Sequence, residues 1–100
     1  MSFRVIVAAS AERQSWLISD WWLLNRPKAP RLFEEEFAWG LTFLETAPYA
    51  GARVTNNSVG VRRLLLRKSR YHLYYRINEP ARLVEVLAIW HASQADGPPL

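Results

Sequence analysis

The chain has 100 residues, half of them hydrophobic, no cysteine, and a net charge of +4. That length suits one domain with its own packed core, and the absence of thiols excludes disulfides and cysteine-ligated metal sites. The opening "MSFRVIVAAS" lacks the apolar core and cleavage site of a signal peptide, and no apolar run approaches the roughly 20 residues that span a bilayer, so a soluble, cytoplasmic protein with no membrane contact is expected.

"FRVIVAA", Phe3 to Ala9, is β-branched at its centre and predicts a strand. A helix follows, with Ser10 as its expected N-cap and Glu12 suited to its first turn; it runs to about Asn25, before Pro27. Ala11, Ser15, Ile18 and Trp22 share one stripe at helical spacing, the expected core face. Trp16, Leu17, Trp21, Leu23 and Leu24 spill beyond it. So much apolar surface exceeds what a small core can hide and points to a protein interface, with Trp16, Leu17, Trp21 and Leu24 as its anchors.

A second helix is expected over Pro30 to Thr46, with Phe33, Phe37, Leu41 and Leu44 on its apolar stripe and Gly40 weakening it a little. Glu34, Glu35 and Glu36 suit its early turns; neighbouring positions on a helix do not face one another, so they predict a solvated face and no metal site. The short "NRPKAP" link makes the two helices an antiparallel hairpin. Ala47 to Gly60 reads as a loop. Its Gly51 and Gly60 are too isolated for a phosphate cradle, and its "NNS" glycosylation match carries no weight without a secretory signal.

Three strands close the pattern, about Val61 to Lys68, Tyr71 to Ile77 and Arg82 to His91, joined by "KSR" and "NEPA" as hairpins; Gln94 to Leu100 reads as a flexible tail. The order βααβββ predicts an α+β domain, with the helical hairpin packed on one face of a largely antiparallel four-stranded sheet.

The charge is uneven. Residues 1–50 hold five Lys/Arg against six Asp/Glu, whereas residues 51–100 hold eight against three, and no acid falls between Glu45 and Glu79. Such asymmetry points to an acidic partner, either nucleic acid or an acidic protein segment. Alternation sends Tyr71, Leu73, Tyr75 and Ile77 to the core and His72, Tyr74 and Arg76 to the other face; in the last strand Val84, Val86, Ala88 and Trp90 form one row, and Glu85, Leu87, Ile89 and His91 the other. The helices can cover only one face. The open one is expected to be part apolar and part basic, an anion-binding surface of Arg62 or Arg63, Arg67, His72, Tyr74, Arg76 and His91, with Arg76 able to pair with Glu85.

"GVRRLLLRKSRYHLYYRI" followed by "LVEVLAIWHAS", with "DWWLLNRPKAPRLFEEEF" in the helical hairpin, resembles the RelE/ParE superfamily of toxins from type II toxin–antitoxin systems, and its ParE-like branch in particular. The resemblance covers nearly the whole chain. It implies a small basic toxin neutralised by a ParD-like antitoxin, which orders a segment over the toxin on binding. Operator DNA would be met only through that complex, with no cofactor and no small-molecule substrate. RelE-like members cut messenger RNA on the ribosome; by position this chain puts Arg63 at one of their lysine sites but Leu65 at the next, His72 at the strand arginine, Ser93 or Gln94 at the late arginine, and no tyrosine after Tyr75. Were it a ribonuclease, His72 and His91 would move protons, and Arg63 and Arg67 would stabilise charge. The ParE-like likeness implies instead a non-enzymatic poison of DNA gyrase, with Arg62, Arg63, Arg67, Tyr74 and Arg76 as target-binding residues. A non-toxic module that only partners an antitoxin and helps bind DNA is the third reading.

Overall fold

The computed structural model describes residues 2–55, 59–94 and 97–100. In chain order the elements are β1 (Arg4–Val7), α1 (Ala9–Asn25), α2 (Leu32–Thr46), β2 (Ala52–Arg53), β3 (Val61–Leu66), β4 (Tyr71–Asn78) and β5 (Leu83–His91). The strands make one sheet in the order β1-β5-β4-β3-β2; β1 is parallel to β5 and every other pairing is antiparallel. The expected α+β architecture is present, with five strands in place of four. The addition, β2, pairs Ala52 and Arg53 with Arg63 and Arg62 inside the predicted loop. Two residues are too few to show a period of two. The "NNS" match lies outside the described residues.

Helix α1 starts two residues earlier than its sequence signals. Ala8 is the N-cap, with no side-chain bond, and Ser10 falls inside the first turn. The reason is tertiary: Ala8 N–H donates to Val86 C=O at 2.9 Å, so the chain turns into the helix directly from its pairing with β5. The predicted stripe is the buried one, with Ala11, Ser15 and Trp22 buried and Ile18 at the core's margin. Helix α2 buries Phe33, Gly40 and Leu44. A Cβ on Gly40 would stand 3.0 Å from Leu73 Cδ1 and 3.1 Å from Leu66 Cδ2, so the glycine lets α2 sit close on β3 and β4. Phe33, Leu44, Leu66, Leu73, Tyr75 and Val84 centre the main core, between the helices and the sheet.

Strand β5 departs from simple alternation. Tyr74 pairs with Ala88 but Tyr75 pairs with Val86, so Leu87 is an extra residue in a β-bulge. Beyond it the facing inverts. Ile89 joins the main core, while Ala88 and Trp90 turn to the opposite face, so the expected row Val84-Val86-Ala88-Trp90 is broken at its middle. There Val61, Tyr74 and Ala88 form a second apolar cluster flanked by Val54, Leu87 and Trp90. Of the predicted tail, Gly97 lies close to Tyr74: a Cβ on it would be 3.1 Å from the phenol oxygen. Among the described residues no helix is long and apolar enough to cross a membrane.

Candidate functional site

Strand β2 pairs only with Arg62 and Arg63, which leaves Leu64 to Leu66 of β3 as the sheet's edge among the described residues. Beside that edge stands α2. Trp39 and Phe43, four apart on one helical flank, stack at 5.0 Å and 18°, and Trp39 is 52% exposed. Between helix and edge lies a cavity of about 810 Å³. Its apolar wall includes Trp39, Phe43, Leu64 and Leu65, and its polar rim includes Arg63, Arg67, Lys68 and His72, with Glu35 and Glu36 on the α2 side. An unpaired strand edge beside an apolar wall can take up an extended segment through backbone hydrogen bonds, with the arginines drawing acidic side chains.

Glu36 holds one end of this groove. Its carboxylate accepts from Lys68 N–H and Ser69 N–H, each at 2.8 Å, and from Ser69 Oγ at 2.7 Å. Burial alone would raise its pKa, but those donors together with the Lys68 charge hold it below the ordinary value. The predicted solvated face of acids is therefore only partly solvated: Glu34 makes an exposed ion pair with Arg31 at 3.4 Å, while Glu36 ties α2 to the β3–β4 turn. That turn carries Arg67, Lys68 and Arg70, the last at φ 69°.

The basic surface expected on the open face divides. Arg63, Arg67 and Arg76 are exposed, and Arg76 stands in register with Glu85. His72 is half-buried in the groove, opposite Leu65. Its pKa is lowered by burial and by the charges of Arg63, Arg70 and His91, so the imidazole is neutral at pH 7. Three predicted members are placed elsewhere. Arg62 lies opposite Tyr75 and donates to Tyr49 C=O at 3.2 Å and Gly51 C=O at 2.9 Å, which engages its guanidinium in fastening the α2–β2 loop. Tyr74 is only 4% exposed, in the second cluster, and offers no free ring for stacking. The bulge turns His91 to the helix side, where it packs edge-on to Tyr71 at 4.9 Å. Its Nδ1 accepts from Ser93 N–H at 3.1 Å and meets Ser93 Oγ at 2.7 Å, which leaves the proton of the neutral ring on Nε2. His72 and His91 thus face opposite sides of the sheet.

No family model and no curated protein matches the sequence. Among solved structures, the chromosomal ParDE toxin–antitoxin system of P. aeruginosa has a TM-score of 0.74 at 16% identity, covering 91% of this chain and 97% of that one. The toxin–antitoxin complex RelBE2 of Mycobacterium tuberculosis has a TM-score of 0.65 at 22% identity, over 91% and 99%. The archaeal RelE–RelB complex of Pyrococcus horikoshii OT3 has a TM-score of 0.62 at 19% identity, over 95% and 100%. The chain has the fold of the RelE/ParE toxins.

On this RelE/ParE scaffold the apolar excess of α1 is exposed as the sequence predicts. Trp16 is 60% accessible, Leu17 71%, Trp21 43% and Leu24 84%, with Leu23 also exposed. Leu17, Trp21 and Leu24, at i, i+4 and i+7, make one stripe, whereas Trp16 aligns with Leu23 on a separate flank. The Arg26 guanidinium lies 4.5 Å from the Trp21 ring and packs on one end of the stripe. Sequence reasoning missed Trp39, Phe43, Lys68 and Glu36. The i, i+4 spacing of Trp39 and Phe43, off the core stripe of α2, was the available signal; nothing local shows that Glu36 reaches a turn more than 30 positions away.

Proposed function

We propose that this protein is the toxin of a type II toxin–antitoxin pair of the ParE-like kind, acting in the bacterial cytoplasm by binding DNA gyrase, without cutting a substrate. A ParD-like antitoxin neutralises it, anchored on Trp16, Leu17, Trp21 and Leu24 of α1, and operator DNA is met only through that complex. Arg63, Arg67 and Arg76 are the exposed cations offered to the target. The partner is supported by the fold and by neighbours described as ParDE and RelBE toxin–antitoxin assemblies.

One observation carries the choice of a binding poison: the groups that hydrolysis would need are not gathered. Strand cleavage by a 2′-hydroxyl needs a base and an acid on opposite sides of one phosphate. Here His72 and His91 lie on opposite sides of the sheet, His91 is occupied by Ser93, and Leu65 stands directly across from His72. A second reading, ribosome-dependent cleavage of messenger RNA, is favoured by the neutral His72 beside Arg63, a base next to a cation.

The two readings separate in one pair of assays. Purified protein added to gyrase and relaxed plasmid should suppress supercoiling, and the antitoxin should restore it. Site-specific cuts in ribosome-bound message, lost in His72→Ala, with gyrase unaffected, would replace this reading by the second. A protein inert in both, whose expression leaves growth unchanged, would be a partner-binding module only.

A further inference from the structure

A second cavity, of about 700 Å³, lies between α1, the β3–β4 turn and the end of β5. That size falls in the range of small-ligand sites. Its lining joins the rings of Trp21, Trp22 and Tyr71 to the cations Arg26, Lys68 and Arg70, and no acidic residue lines it among the described residues. It is separate from the edge groove, although Lys68 borders both.

Its cations, Arg26, Lys68 and Arg70, are donors only. At its inner side the indole N–H of Trp22, a side chain more than nine-tenths buried, meets no acceptor among the described residues. A shielded donor without a partner is uncommon and costs stability. Two of the acceptors nearby are taken: Gln14 Oε1 receives Ile89 N–H at 2.8 Å, and His91 Nδ1 receives Ser93 N–H. Lys68 and Arg70 make no ion pair among the described residues. The site therefore calls for an acceptor-rich anion. It also offers a plane, because the half-exposed Trp21 ring and the Arg26 guanidinium 4.5 Å from it form a preformed stack.

We propose that this cavity binds a nucleotide unit, with its base against the Trp21–Arg26 pair and its phosphate on Lys68 and Arg70. Aromatic and arginine planes take bases of any identity, and cations around a ring-lined pocket take the phosphate. An acidic side chain would satisfy the cations but would leave the ring-lined part unfilled. The unit could come from a free mononucleotide or from an unpaired residue of a nucleic-acid strand, since both present the same ring and phosphate. The inference does not depend on which macromolecule the protein poisons.

The test uses the purified full-length chain, calorimetry, and ligand-observed NMR with AMP, adenosine, inorganic phosphate, a short single-stranded oligoadenylate and an aspartate-rich peptide. AMP should bind, with adenosine and phosphate each at least about tenfold weaker, because each lacks half of the contacts. Trp21→Ala and Arg70→Asn should each weaken AMP by about tenfold. Asparagine tolerates the positive φ of 69° at position 70, so that variant keeps the turn and removes the charge. Arg63→Ser, in the edge groove, should leave binding unchanged. Equal affinity for AMP and oligoadenylate would assign a free-nucleotide site; tighter oligoadenylate with the same variant sensitivity would assign a strand site. The proposal fails if AMP does not bind at millimolar concentration, if Arg63→Ser rather than Arg70→Asn abolishes binding, or if the aspartate-rich peptide binds more tightly and displaces AMP.

Discussion

Tyr75 and Gly51 meet by a buried hydrogen bond in which the Gly51 N–H donates to the phenol oxygen at 2.9 Å, while the phenol donates in turn to Pro48 C=O at 2.6 Å. A fully buried ring on the central strand thus fastens the loop between α2 and β2. Burial pushes the phenol pKa up, against the opposing effects of the Gly51 amide and Arg62, so the oxygen stays a protonated donor. A Cβ on Gly51 would stand 2.7 Å from the Arg63 carbonyl oxygen, so only glycine lets the loop approach β3 this closely. That approach sets where β2 begins and hence how much of the β3 edge is left open.

Tyr75→Phe should therefore lower unfolding stability by about 1–3 kcal/mol, because it leaves two shielded backbone groups without a partner and creates no large cavity. Gly51→Ala should cost at least about 1–3 kcal/mol through overpacking against β3. Urea denaturation measures both. A loss below about 0.5 kcal/mol in Tyr75→Phe would mean that water reaches the loop groups and that the tether is not structural.

Glu36 gives a prediction about acid. Its folded-state pKa is below the ordinary 4.5, so its contribution is fully present above pH 4.5 and is lost as pH falls through the lower folded value. Glu36→Gln should cost about 1–2 kcal/mol near neutrality. The gap between wild type and variant should close on acidification below pH 4.5. Denaturation curves across that range check it; a gap independent of pH would show that the carboxylate's charge plays no part in holding the turn.

His72 gives a second pH effect at higher values. Its folded pKa is lowered from 6.5 by burial first and then by Arg63, Arg70 and His91. The unfolded chain therefore takes up a proton before the folded one does, and stability falls as pH drops below 6.5 towards the folded value. His72→Gln should flatten that part of the profile. Melting temperatures at about pH 7.5 and 5.5 report it. An unchanged slope in the variant would show that His72 is not the group that titrates.

The α1 surface is tested by separating binding from folding. Trp16→Ala should weaken the antitoxin complex by about 2 kcal/mol or more, as for an interface anchor, with little effect on melting, because its ring is 60% exposed. Trp21→Ala should weaken the complex too but also cost some stability, since that ring packs edge-on against Trp22 at 6.1 Å and under Arg26. Calorimetric titration with the antitoxin, alongside thermal unfolding, distinguishes the two. Unchanged affinity in both variants would remove α1 from the interface.

Most of the fold was legible because its signals are local and periodic. The stripe Ala11-Ser15-Ile18-Trp22, the stripe Phe33-Phe37-Leu41-Leu44 and the alternation of β4 each repeat over enough residues to reveal their buried side. What was misread lies where a single distant contact outweighs the local pattern. Ser10 has a capping side chain, but the pairing of Ala8 with Val86 starts the helix earlier. Trp90 was expected to share a face with Val84 and Val86, yet the extra residue at Leu87 turns it away and brings Ile89 into the core.

The candidate site was legible in composition and not in geometry. That one half of the chain carries a cationic excess, and that α1 holds more apolar side chains than a core can absorb, are properties of the sequence alone, because charge and hydrophobicity belong to each residue wherever it lies. Which cations remain free belongs to the tertiary structure. Arg62 and Arg63 are neighbours in sequence, yet one is engaged by the carbonyls of Tyr49 and Gly51 and the other faces solvent beside the groove. The pleat sends adjacent side chains to opposite faces, and only the packed fold decides which face has partners waiting.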